Sequence, residues 1–216
     1  MIVLDIETSG LNYEKCGIWQ IGALELEHPE NIFFEEARID DGDVTENSAL
    51  VVIGKTENEL RNSGKQSQKQ LLQHFLEWVS YIQIKNCICQ NPQFDLVFIR
   101  TKAKKFGFSA HDLLVPYKAF DLHSIASVRY FFLHGNFLID KEKSAMNLTK
   151  ILEFCGLSDS RISINNSVIE IEGSPHNALE DARLTAECFS RIVYGKKLLS
   201  EFKAFEIPPY LKKPLQ

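Results

Sequence analysis

No apolar run in this chain approaches the roughly 18 residues that a membrane-spanning helix needs, and no membrane partner is expected. A secretory leader is missing by the same reading: Met1-Ile2-Val3-Leu4 carries no basic stretch and meets an acid at Asp5. Cysteine is scarce and odd in number, at five. With no export signal, such cysteines read as buried or free thiols of a reducing, cytoplasmic protein. There is no G-x-x-x-x-G-K-[ST] or G-x-G-x-x-G loop, so a nucleoside-triphosphate cradle has no support. Internal repeats are absent too. Positive charge is in deficit, with a net −5 over 216 residues, which argues against an all-round coat for a polyanion.

What is present is the composition of a folded protein. The chain is 44% hydrophobic and 25% charged and contains 15 Phe, close to globular averages. Its length suits one domain with an appendage and a core that needs no staples. The charge is uneven. Residues 1–95 carry 16 acids against 7 bases, and residues 96–216 carry 13 acids against 17 bases. Basic clusters lie at Arg100, Lys102, Lys104 and Lys105, at Lys141 and Lys143, and at Lys196, Lys197, Lys203, Lys212 and Lys213. The first reads either as a solvated helix face or, beside an active site, as a guide for a phosphate backbone.

Three strand-like runs open the chain, over Ile2–Glu7, Ile18–Glu27 and Asn31–Ile39. Short turn-like stretches, including His28–Glu30, join them into an antiparallel meander. Helical pieces follow near 45–53 and 56–62. Leu71, Leu72, Phe75, Trp78, Val79 and Ile82 then recur at helical spacing over Gln68–Ile82. A short strand over Asn86–Gln90 leads to Asn91-Pro92, an N-cap followed by proline at the first helical position. That helix runs to about Phe106. A strand over Lys118–Asp121, helices over 122–133 and Asn147–Cys155, a hairpin within Arg161–Glu172 and a final helix over 177–193 complete the pattern. A basic tail with Pro208, Pro209 and Pro214 comes last. A meander followed by alternating helix and strand predicts an α/β fold with a mixed sheet.

The acids carry the chemistry. In Asp5-Ile6-Glu7 the two carboxylates share one face of an apolar strand. They read either as exposed acids at a strand end or as a site for a hard cation, Mg²⁺ or Mn²⁺ rather than Zn²⁺. Like charges this close raise each other's pKa unless a cation neutralises them. Asp95 falls in the first turn of its helix, where it either complements the helix dipole or adds a third carboxylate. Asn177 and Glu180 suit a helix start, leaving His176 in the loop before it and Asp181 one turn inside. Asp121 reads as a helix cap. Cys87-x-Cys89 has no zinc-pair spacing, and His28, His74, His111, His123 and His134 form no ligand pattern. Trp19 and Trp78 read as core.

Together these segments resemble the DnaQ-like (DEDDh) 3′–5′ exonucleases of the ribonuclease-H-like superfamily. Val3-Leu4-Asp5-Ile6-Glu7-Thr8-Ser9-Gly10-Leu11 is similar to the first exonuclease motif, with D-x-E-T and a following glycine. Asn91-Pro92-Gln93-Phe94-Asp95 resembles the second, with Gln90 where many members have His. His176-x-Ala178-x-x-Asp181-Ala182 matches the third in its His form. The likeness covers residues 1–193, with 158–173 longer than the family's usual connection and 194–216 outside the match as a basic C-terminal tail.

That resemblance implies a ribonuclease-H-like five-stranded mixed sheet, its first three strands antiparallel and two more parallel, flanked by helices. It also implies a 3′–5′ exonuclease that releases nucleoside 5′-monophosphates from single-stranded DNA or RNA. Asp5, Glu7, Asp95 and Asp181 would hold two divalent ions, Mg²⁺ or Mn²⁺. His176, with a pKa naturally near working pH, would act as general base. Asn91 and the Thr8 backbone would meet the terminal nucleotide, and Leu11 would wedge against a base or simply pack. The implied partners are a single-stranded 3′ end and a polymerase or other replication or repair protein. The competing reading is a module of the same fold that binds nucleic acid or a polymerase without cutting; such a module would normally have lost an acid or the His.

Overall fold

The computed structural model describes residues 1–109, 118–161 and 175–213, and the backbone of 163–165 and 168–171. Strands β1 (Ile2–Thr8), β2 (Ile18–Glu25) and β3 (His28–Glu36) form the meander. Strands β4 (Cys87–Cys89) and β5 (Phe120–Asp121) extend it. The sheet order is β3-β2-β1-β4-β5. The β1–β2 and β2–β3 pairs are antiparallel, while β4 runs parallel to β1 and to β5. This is the mixed five-stranded sheet expected.

Helices cover both faces because the strands alternate two apolar sets. On one face Ile2, Leu4 and Ile6 pack with α3 (Gln68–Tyr81) and α4 (Pro92–Lys105). On the other, Val3, Leu24 and Ile88 pack with α5 (Leu122–His134), α6 (Leu148–Phe154) and α7 (Ala178–Tyr194). Two short helices, α1 (Asn47–Ile53) and α2 (Glu57–Leu60), complete a small cluster around the buried Trp19. Trp78 is partly buried, and its indole N–H donates to Asn31. All five cysteines are buried thiols. Among the described residues no helix is long and apolar enough to cross a membrane.

Several boundaries differ from the sequence reading. His28–Glu30 belongs to β3 instead of a turn, because β3 is the sheet edge, where Pro29 breaks no ladder. A hairpin of β6 (Ile139–Asp140) and β7 (Lys143–Ser144), with Lys141 at φ 54°, is too short for alternation to reveal. The hairpin expected within Arg161–Glu172 is present as β8 (Ser163–Asn165) and β9 (Val168–Ile171). Its turn at Asn166 and residue Glu172 lie outside the described residues, as do His111 and Pro214.

The expected basic face of α4 is also different. Lys102 is 1% exposed and pairs with Asp43 at 3.0 Å, and Lys105 pairs with Asp40. Position 102 lies three and four residues beyond the buried Ile99 and Phe98, on the inward stripe of the helix. Buried Asp43 is satisfied in full: it accepts from Lys102, from Gln68 Nε2 and from the Asp40 amide. This cluster locks the 40–46 loop against α4.

The chain beyond α7 packs back onto the domain. Ile207 and Leu211 join the α5–α7 core. Buried Arg191 donates to the carbonyls of Cys155, Phe202 and Phe205 while pairing with Glu187 at 2.7 Å.

Candidate active site

A cleft of about 440 Å³ opens at the carboxyl ends of β1 and β4, where open sheets containing parallel strands usually hold their ligands. Asp5, Glu7, Asp95, Asp181 and His176 all line it, as do Asn91 and Leu11. Thr8 does not line it by its side chain, which is buried, with its hydroxyl donated to the Gly10 carbonyl.

The sequence explains how these groups converge. Asp5 and Glu7 share the β1 face toward α7. Asp5 lies opposite Gly22 in the β1–β2 register. A Cβ on Gly22 would fall inside the backbone of Ala178–Leu179, so only glycine lets α7 approach there. Gln20 Oε1 accepts the Ala178 amide at 2.8 Å, and Asn177 Oδ1 accepts those of Leu179 and Glu180. The start of α7 is thereby pinned to the sheet, with Asp181 over the acids. On the other side, Pro92 starts α4 and brings Asp95 in its first turn. Asn91 precedes that helix, but its side chain makes no capping bond; its position at the cleft leaves it facing outward. His176 is held from below by its amide, which donates to the Val52 carbonyl of α1 at 3.0 Å. Its Nδ1 lies 3.3 Å from Asp181 Oδ2.

Leu11 sits on a loop buttressed by the 43–46 segment. Its amide donates to Glu46 Oε1, and Ser9 Oγ donates to the Val44 carbonyl. At 73% exposure its side chain is not core packing.

The electrostatics are those of a site built for cations. Burial, and then the neighbouring Asp95, Asp181 and Glu7, hold the Asp5 carboxyl well above its usual range. Burial, and next Asp181, push Glu7 to about 8. Burial raises Asp95 to about 7, although its own amide and that of Ile6 donate to it and pull the other way. Glu7, His176 and Asp181 offer ligand atoms that all lie within 4.8 Å of one another. Oxygen donors in this number, close together and hard to ionise alone, fit a divalent cation such as Mg²⁺ or Mn²⁺.

One charged residue of the cleft lies outside the three motifs. Arg161 is buried beside Asp181, with Nη1 at 2.9 Å from Asp181 Oδ1. Asn147 and Thr149 also line the cleft, and Asp159 pairs with Arg161. The only sequence signal for it was a charged Asp159-x-Arg161 step inside the lengthened connection.

A family model described as the 3′–5′ exoribonuclease Rv2179c-like domain matches residues 1–193. The chain is 25% identical over 206 residues to a PolC-type DNA polymerase III of Thermotoga petrophila; the match takes in 95% of this chain but 13% of that protein. Among solved structures, apo exonuclease I superposes with a TM-score of 0.60 at 15% identity, over 87% of this chain and 40% of that one. Cell-death related nuclease 4 gives 0.61 at 11%, over 91% and 64%. A 3′-exonuclease that recognises the histone mRNA stem-loop gives 0.61 at 12%, over 88% and 62%. These structural likenesses share the ribonuclease-H-like sheet described above. The three motifs, the mixed sheet and the match over residues 1–193 agree: the chain belongs to the Rv2179c-like 3′–5′ exoribonuclease domain family, within the DnaQ-like exonucleases.

Proposed function

We propose that the protein is a metal-dependent 3′–5′ exonuclease that shortens single-stranded nucleic acid and releases nucleoside 5′-monophosphates. RNA is the substrate class that the family description favours. The observation that carries the proposal is the convergence of four carboxylates and His176 in one cleft at the end of β1 and β4. A degenerate, binding-only module would have no reason to keep all five.

In this reading Asp5, Glu7, Asp95 and Asp181 hold two divalent ions, Mg²⁺ or Mn²⁺. When bound, such ions supply a hydroxide-like nucleophile at neutral pH and stabilise the departing 3′-oxygen. Asp5, close enough to Asp95, Asp181 and Glu7 for all three to raise its carboxyl, would be the ligand common to both ions. His176 takes the proton of the attacking water. Its Nδ1 neighbours Asp181, a carboxylate that stabilises the imidazolium formed. The Thr8 backbone and Asn91 position the terminal nucleotide. The exposed side chain of Leu11 offers an apolar wedge against a base, and its backbone is held by Glu46. The catalytic domain is residues 1–193, with 158–173 as an insertion that contributes Arg161 to the cleft and 194–216 as a basic C-terminal extension. A polymerase or another replication or repair protein is the partner class suggested by the likeness to PolC. Five buried thiols suit a reducing compartment, and the proposed location is the cytoplasm.

The test is digestion of matched 5′-labelled single-stranded RNA and DNA in Mg²⁺, in Mn²⁺ and in EDTA. Stepwise shortening from the 3′ end, lost in EDTA and in Asp5→Asn, is expected. Binding without shortening in either metal would establish the non-catalytic module instead.

A further inference from the structure

Arg161 is 8% exposed, and its guanidinium is clamped along one edge. Nε donates to Asp159 Oδ1 at 2.9 Å and Nη2 to Asp159 Oδ2 at 2.8 Å. The Arg161 amide also donates to Asp159 Oδ1. Asp159 is itself fixed, since the Thr149 hydroxyl of α6 donates to its Oδ2 at 2.7 Å. Burial alone would raise the Asp159 carboxyl, but these hydrogen bonds outweigh it and bring it to about 2, so the clamp is charged at any physiological pH. The remaining corner, Nη1, projects to the acids and meets Asp181. Among the described residues lining the cleft, Arg161 is the only lysine or arginine.

Pairing with Asp159 would satisfy a structural arginine at the cleft edge. It does not require Nη1 to enter a cluster of buried acids, where desolvating a guanidinium is costly. Asp181 meanwhile answers to two cations: this guanidinium, and the divalent ion that the proposed function assigns to it. With a divalent ion on that carboxylate, the Nη1 donors would be available to an anion entering the cleft. The fork is spent on Asp159, which fixes the orientation of the charged Nη1 corner in advance, and such a corner suits a single phosphate oxygen.

We propose that Arg161, aimed by Asp159, is a substrate ligand that donates to a non-bridging oxygen of the terminal phosphodiester. This inference rests on the exonuclease reading of the cleft.

The experiment compares wild type with Arg161→Gln and Arg161→Lys in the full chain, each checked for cooperative unfolding in EDTA. The probe is a fluorescent single-stranded RNA octamer in Ca²⁺, titrated at several salt concentrations. Binding of Mn²⁺ without RNA is followed by electron paramagnetic resonance. Arg161→Gln should weaken RNA binding about 10–100-fold and lower the salt slope by about 0.7. Arg161→Lys should recover part of the loss, as a point charge lacking the fork. Mn²⁺ affinity of Arg161→Gln should be equal to wild type or tighter, because a neighbouring positive charge has gone. If Arg161→Gln binds RNA like wild type while Mn²⁺ binds more tightly, Arg161 is only a counter-ion to the acids and the proposal is wrong. If Mn²⁺ binding and RNA binding weaken together, the residue orients Asp181 and the phosphate contact is again refuted. Failure of wild type to bind either this RNA or the matched DNA octamer in Ca²⁺ would overturn the exonuclease reading itself, and with it this role.

Discussion

The metal-free protein should lose stability as pH rises, and Glu7 should account for a measurable share. Its carboxyl is pushed from 4.5 to about 8, by burial first and by Asp181 next. Between those values the folded state keeps a proton that the unfolded chain has released. Stability therefore falls with pH across that window and levels off above about 8. From pH 5.5 to 8 one such group costs about 3 kcal/mol, at about 1.4 kcal/mol per pH unit with the last part only half titrated. For a domain of this size that corresponds to about 6–12 °C in Tm. The assay is thermal unfolding in EDTA at pH 5.5 and 8 for wild type and Glu7→Gln, whose neutral amide cannot titrate. Wild type should drop further than the variant by roughly that amount, and saturating Mn²⁺ at pH 8 should restore most of it. Asp5 and Asp95 respond in the same direction, so the comparison isolates Glu7 without requiring the variant to be flat. Equal drops in the two proteins would show that Glu7 ionises in the folded state as it does in water, and the account of a cluster awaiting cations would be wrong.

Three further outcomes follow from the same geometry. His176→Ala should lower kcat about 10²–10⁴-fold with little change in Mn²⁺ affinity, and should remove the acidic limb of the pH–rate profile; an unaltered profile would make the residue structural. Gly22→Ala must displace the start of α7, because its Cβ meets the Ala178–Leu179 backbone; a shift of about 1 Å at Asp181 should cost about 100-fold in kcat, and unchanged kcat would show that the helix start is not what sets that carboxylate. Lys102→Met takes from buried Asp43 its shorter ion pair, leaving Lys105 at 3.8 Å as its cation, and should cost about 3 kcal/mol in urea unfolding. Adding Asp43→Asn should recover part of that loss; a loss under 1 kcal/mol would mean that water reaches the pair.

Local pattern places the acids on the elements that bear them, and the resemblance of the three motifs joins them into one set. The i, i+2 spacing of Asp5 and Glu7 follows from the strand period, Asp95 from a proline-started helix, and Asp181 from a helix start one turn earlier. The helical period of α4 also sets Lys102 inward, three and four residues after Ile99 and Phe98, although its charge favours the solvent face. His28–Glu30 is ambiguous in the sequence because a turn and an edge strand containing Pro29 look alike until the strand order is known. Which residues face each other across the chain was not legible. The Asp159–Arg161–Asp181 contacts join a loop to a helix start some 20 residues later, the buttress under Leu11 comes from Glu46, and the approach of α7 to β1 depends on Gly22. Each is a side-chain meeting between segments distant in sequence, set by how the layers pack and not by any local period. So the sequence by itself determined the carboxylate set and the order of strands and helices. Only the tertiary structure decided that Glu7, Asp95 and Asp181 are buried together beside Asp5, that burial raises the carboxyls of Asp5, Glu7 and Asp95, and that an arginine from outside the motifs stands among them.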